Sequence, residues 1–183
     1  KELFGKGDFI RNNRPTISFS FPLKSGGAVM VKVFQNEREV FLDKPAQILL
    51  PGITGEPDPS MEVFYWKPVD NDSLLNQNPW LENGTWKLAS SPNSVDIVPN
   101  TYNAPGVDYY YSMVVNKLNW INCDVFWGIG LPRVELKVQS DLPINYYNSR
   151  VYVIFQSLNS VLPMYPQYDL NSSSYCEYIV TGY

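Results

Sequence analysis

The 183-residue chain contains no histidine, and that absence removes much of enzyme chemistry. There is no Ser-His-Asp or Cys-His nucleophile of the usual kind. No side chain ordinarily titrates near neutrality, and the commonest zinc ligand is missing. Two cysteines, Cys123 and Cys176, cannot close a structural zinc site alone. FGKGDF (4–9) and GGAV (26–29) hold glycines but not the spacing that cradles phosphate. Paired carboxylates remain. Glu56, Asp58 and Glu62 lie close in sequence, as do Asp70 and Asp72. A glycosidase would need two such groups about 5–10 Å apart across a cleft; otherwise they are solvated acidic loops. Asp70 and Asp72 open like a calcium loop, but Leu75 and Leu81 stand at its sixth and twelfth positions, where glycine and glutamate belong. No metal, no cofactor and no catalytic residue is expected.

Cys123 sits in NWINCDVFWGIGLP (119–132). One reading is a buried free thiol packed as a small hydrophobe. The other is a disulfide to Cys176, which needs an oxidising compartment. No basic residue flanks Cys123, so a reactive thiolate is disfavoured.

Aromatic side chains are the remaining candidates for recognition. Trp80 and Trp86 flank ENG in a polar stretch. Tyr102, Tyr146, Tyr147, Tyr165 and Tyr168 lie beside Asn, Pro or Gln in turn-rich segments. Tyr and Trp give large contact area at low entropic cost, although single exposed aromatics are ordinary on any surface.

The elements that must position these residues are strands. Alternation of period two dominates. In TISFSF, Ile17, Phe19 and Phe21 share a face; in AVMVKVF, Val29, Val31 and Val33 do. SGG (25–27) between them reads as a hairpin loop. Tyr109, Tyr111, Met113 and Val115 align against Tyr110, Ser112 and Val114. Ile121, Cys123, Val125, Trp127, Ile129 and Leu131 are expected to face the core, with Gly128 and Gly130 on the other side. RVELKV (133–138) reads as a half-exposed strand, and VYVIF (151–155) and CEYIV (176–180) as more central or covered ones. One short helical turn is expected within 70–84, capped by Asp72 or Ser73 and ended at Pro79. KELFGKGDFIRNN (1–13) reads as polar, without signal-peptide character, and the chain as processed or part of something longer. Ten or eleven short strands with Gly, Pro and Asn turns predict an all-β fold over 1–183 as a single domain. The expected form is an antiparallel two-sheet β-sandwich of jelly-roll or Greek-key topology. An immunoglobulin-like sandwich is the alternative, weakened by the missing Cys…Trp…Cys pattern.

Formal charge is −4, spread without blocks. Strong nucleic-acid binding needs a basic footprint that is missing here. No apolar run is long enough for a transmembrane helix. Sequons at Asn71, Asn83 and Asn171 matter only in a eukaryotic secreted protein. Charged residues make up 17%, against about 25% for an average domain. Together with abundant Tyr, Asn and Pro, this composition resembles that of viral capsid and spike domains. The resemblance implies a non-enzymatic structural protein of the virion, contacting copies of itself or related capsid subunits, and a host receptor or glycan. A secreted or cell-surface glycan-binding module of adhesin type is the alternative, and a carboxylate-based glycoside hydrolase the third.

Overall fold

The computed structural model describes residues 1–19, 21–52, 55–68, 84–90, 94–142, 149–166 and 174–180, with 165–166 and 174–180 described through their backbone alone. The expected helical turn at 70–84 and its cap lie outside the described residues. The elements are β1 (Glu2–Leu3), α1 (Lys6–Arg11), β2 (Ile17–Ser18), β3 (Phe21–Val31), β4 (Val33–Gln35), β5 (Arg38–Val40), β6 (Ala46–Pro51), β7 (Glu62–Lys67) and β8 (Thr85–Leu88). They continue with β9 (Val95–Pro99), β10 (Tyr109–Val115), β11 (Asn119–Phe126), β12 (Arg133–Gln139), β13 (Tyr152–Phe155), β14 (Ser160–Pro163), β15 (Tyr165–Pro166) and β16 (Ser174–Val180).

The protein is nearly all β, in several antiparallel sheets, none of them closed. The largest runs β1-β3-β11-β7-β8, with β2 also on β3. A three-stranded sheet runs β6-β10-β9, another β12-β16-β15, and β13-β14 and β4-β5 form hairpins. β16 is the middle strand of its sheet, in line with the central position read from CEYIV.

Strand β11 lies between β3 and β7, with Ile121 paired to Val29 on one side and Tyr65 on the other. Ile121 and Cys123 pack with Val63, Leu50, Tyr109, Tyr111, Met113 and Val115, so this face of the large sheet shares a core with β6 and β10. The alternation of β10 is thus realised as read. The second face of β11 is buried as well. Trp120 joins Leu23, Phe64, Trp86, Leu3, Phe9 and Val161 beneath α1 and β14. A smaller cluster joins Met164 to Leu136, Val138, Val151 and Val153.

Helix α1, absent from the sequence reading, is one and a half turns held mainly at its start. Asp8 Oδ2 accepts the backbone N–H groups of Gly5 (3.0 Å) and Phe4 (3.3 Å), leaving fewer helix donors unpaired. Arg11 bonds the same carboxylate at 2.8 Å. With only Phe9 fully buried, so short a helix shows no 3.6-residue period.

The SGG segment is a correction. It is not a loop: β3 runs straight through it, and its pairing to β11 shifts between Cys123 and Asp124, leaving Gly26 as the extra residue of a β-bulge. A Cβ on Gly26 would lie 2.9 Å from the Tyr111 ring and 3.2 Å from the Cys123 carbonyl oxygen. The glycines therefore admit close backbone approach inside a strand. The turn falls earlier, where Ile17 pairs with Pro22 and Ser18 with Phe21. There Phe19 takes a left-handed φ of 55° and donates its N–H to Thr85 Oγ1 at 2.8 Å.

Residues 4–25 are stitched to residues 159–161. Thr16 Oγ1 accepts the Val161 N–H (2.6 Å) and meets Ser160 Oγ at 3.1 Å. The Asn159 amide donates to the carbonyls of Phe4 (3.0 Å) and Ser25 (2.9 Å).

Candidate functional site

Of the aromatic candidates, Trp86 is a core residue rather than a contact residue. It is fully buried, its indole N–H donates to the Pro15 carbonyl at 3.0 Å, and its ring meets Trp66 edge-on at 5.1 Å. The polar neighbours in sequence concealed this, because TWKL pairs as β8 at the edge of the large sheet under the N-terminal segment. Trp80, Tyr146, Tyr147 and Tyr168 lie outside the described residues. The backbone of Tyr165 forms β15, in register with Cys176 of β16. Cys123 is a free, buried thiol, so the disulfide reading is set aside. Burial pushes this thiol well above its ordinary pKa, which suits packing and not nucleophilic chemistry.

Tyr102 is presented to solvent, 67% exposed, by a loop built on one side chain. Asn100 Nδ2 donates to the carbonyls of Ala104 (2.9 Å) and Val107 (2.7 Å), while its Oδ1 accepts the N–H groups of Tyr102 and Ala104. Left-handed backbone at Asn103 and Gly106 closes the turn. The Tyr102 ring stands edge-on to Tyr110 at 5.8 Å. The loop fixes its aromatic group in advance, which lowers the entropic cost of any contact.

The carboxylates flagged by sequence are partly committed elsewhere. Asp58 Oδ2 is bound by Lys24 at 2.7 Å and its Oδ1 by Ser60, while its backbone N–H donates to Tyr111 Oη at 3.0 Å. Burial raises the Asp58 pKa, but the Lys24 and Ser60 hydrogen bonds outweigh it and hold the group below the ordinary range. Glu62 sits in β7, in register with Asp124 of β11. Among the described residues no three acidic or sulfur ligands gather as a metal site.

Two apolar surfaces were missed or misplaced by sequence reasoning. The first is the β4-β5 hairpin. Asn36 and Glu37 both take left-handed φ, the geometry of a tight two-residue turn. The alternation aligns Val33 with Val29 and Val31, but β3 ends at Val31, and Val33 and Phe34 are exposed. Phe41, just past the hairpin, is 86% exposed. The consecutive Phe41 and Leu42 were the available signal: one packs against the core edge while the other must face out.

The second surface surrounds the end of β11. Ile129 and Leu131, expected in the core, are exposed. The strand stops at Phe126, and Gly128 and Gly130 take φ of 69° and 79°, which breaks the alternation. Nearby, exposed Phe21 meets Phe126 edge-on at 6.2 Å, and the Arg133 guanidinium lies 5.7 Å above the Phe21 ring. Trp127 stands against Phe155 at 5.2 Å. Large apolar groups at these two places are what a contact with another macromolecule would use.

No protein-family model, curated protein or solved structure matches the chain.

Proposed function

We propose that this is a non-enzymatic structural protein of the viral capsid or surface type, which assembles with copies of itself or related subunits. The observation that carries the reading is the exposure of Val33 and Phe34 in the β4-β5 hairpin and of Phe41 just after it. Large apolar side chains exposed close together in sequence are useful at a subunit contact. In this reading the large sheet and β6-β10-β9 are the two layers of a sandwich with jelly-roll or Greek-key connections. The virion is the site of action, and genome contact by this chain is slight.

The test is light scattering behind a sizing column, combined with negative-stain microscopy, on the wild type and a Phe34→Ser/Phe41→Ser variant. Symmetric multi-subunit particles that the variant cannot form support the reading. A wild-type monomer at micromolar concentration overturns it.

The rigid Tyr102 loop favours a second reading, a cell-surface or secreted module that binds glycans. A glycan screen that gives binding in the wild type and none in Tyr102→Ala would choose it.

A further inference from the structure

Asp124 is the one carboxylate among the described residues buried to zero exposure, and its Oδ1 has no hydrogen-bond partner. Its Oδ2 lies 2.5 Å from the amide of Asn122, whose other end lies 3.0 Å from Ser25 Oγ; Ser25 Oγ also accepts the Gly27 N–H at 3.1 Å. The three side chains therefore form a line across the β3-β11 bulge, from Asp124 through Asn122 to Ser25. Ser25 Oγ–H donates to Asn122 Oδ1 and the Asn122 N–H donates to Asp124 Oδ2, so Asn122 serves one carboxyl oxygen and the other has no donor. A fully buried carboxylate with an unpaired oxygen and no counter-charge is costly, and binding a proton removes the charge.

We infer that Asp124 is a neutral acid in the folded protein, a buried carboxyl at the β3-β11 bulge that makes the fold progressively less stable as pH rises. Among the described residues the cations of the neighbouring elements are engaged elsewhere, Lys6 of α1 by the Gln156 carbonyl. On β3, Ser25 is the register partner, and Lys24 is engaged by Asp58. On β7, Glu62 is the register partner and carries the wrong sign. On β11 itself, Cys123 belongs to the opposite core. Among the elements that cover this face, Arg11 of α1 is paired to Asp8, and β13 offers Tyr152. β14 has no ionisable residue, and the Arg14 guanidinium is stacked over Trp66 and Trp120. Burial pushes the Asp124 carboxyl well above its usual range, and the nearby Ser25 hydroxyl opposes this only in part.

The sign follows from linkage. The unfolded chain releases this proton near pH 4, at about 3.9 for an unperturbed Asp. The folded chain releases it only at higher pH. The stability is fully present below the unfolded value and is lost as pH rises toward and through the raised folded one. Within that window the unfolding constant rises about tenfold per pH unit from this group alone.

The experiment compares urea unfolding of the wild type and Asp124→Asn from pH 5 to 8, together with infrared detection of the buried carboxylic C=O in the folded wild type. The expected result is a ratio of wild-type to variant unfolding constants that climbs with pH, roughly tenfold per unit within the window, and a protonated carboxyl signal at neutral pH. A flat ratio, or an ionised Asp124 in the folded wild type, overturns the inference. Should Asp124→Asn fail to fold, the wild-type infrared signal decides alone: a protonated band supports the inference and its absence refutes it.

Discussion

Replacing Trp86 with phenylalanine separates a core role from a ligand role. The indole N–H to the Pro15 carbonyl is a buried bond. Losing it leaves that carbonyl without this partner, a cost of about 1–3 kcal/mol. The smaller ring leaves a residual void beside Trp66 and adds about 1 kcal/mol if the site does not collapse. An edge-on contact with Trp66 can survive in part, so that term is left out. The expected destabilisation is about 2–4 kcal/mol. With a urea slope of about 1–3 kcal/mol per M, the midpoint falls by roughly 1 M or more. Circular dichroism is the readout, because removing a tryptophan changes the fluorescence baseline. Surface substitutions stay within about 0.5 kcal/mol. A change that small, accompanied by loss of binding to a glycan or partner, would refute the packing argument and return Trp86 to the surface.

In a Cys176→Ser background, Cys123 is the sole thiol, and a thiol reagent should label it only as fast as the protein unfolds; rapid labelling of native protein would contradict its burial. Lys24→Met removes a partly buried partner of Asp58 and should cost up to about 1 kcal/mol near neutrality. Because the Asp58 pKa is held below the ordinary range, that contribution exists above the unfolded value and fades as pH falls through the folded one. The stability gap between variant and wild type should therefore close below about pH 4, and acid titrations of both proteins would show a constant gap if the pair were irrelevant.

Alternation was legible wherever one strand face meets one core. Tyr109, Tyr111, Met113 and Val115 were placed together by period alone, and they share the core with Ile121 and Cys123. The second face of β11 was not legible, because α1 and β14, which cover it, come from distant parts of the chain. Residues Asn122 and Asp124 look like solvent-facing polar positions until those elements arrive. Glycine was ambiguous for a related reason. Gly26 and Gly128 carry the same local signal, yet one sits in a bulge within a continuous strand and the other ends its strand. Of the candidate contact residues, Tyr102 is exposed as a recognition residue must be, and Trp86 is not. The exposed Phe34 and Phe41 escaped because an alternating pattern says which residues share a face, not which face is covered.

The stitches between residues 4–25 and residues 159–161 bear on how the chain can be made. Thr16, Ser25 and Phe4 bond to residues 134 to 155 positions downstream. At about 5–20 residues per second of synthesis, the first segment waits roughly 7–30 s before its partners leave the ribosome. During that interval Leu3 and Phe9 lack Val161, one of the side chains that later bury them. High contact order of this kind slows folding and lengthens exposure of apolar surface. Nascent chains released before residue 161 should therefore be held by chaperones or aggregate, and the second core can be completed only after residue 161 has left the ribosome.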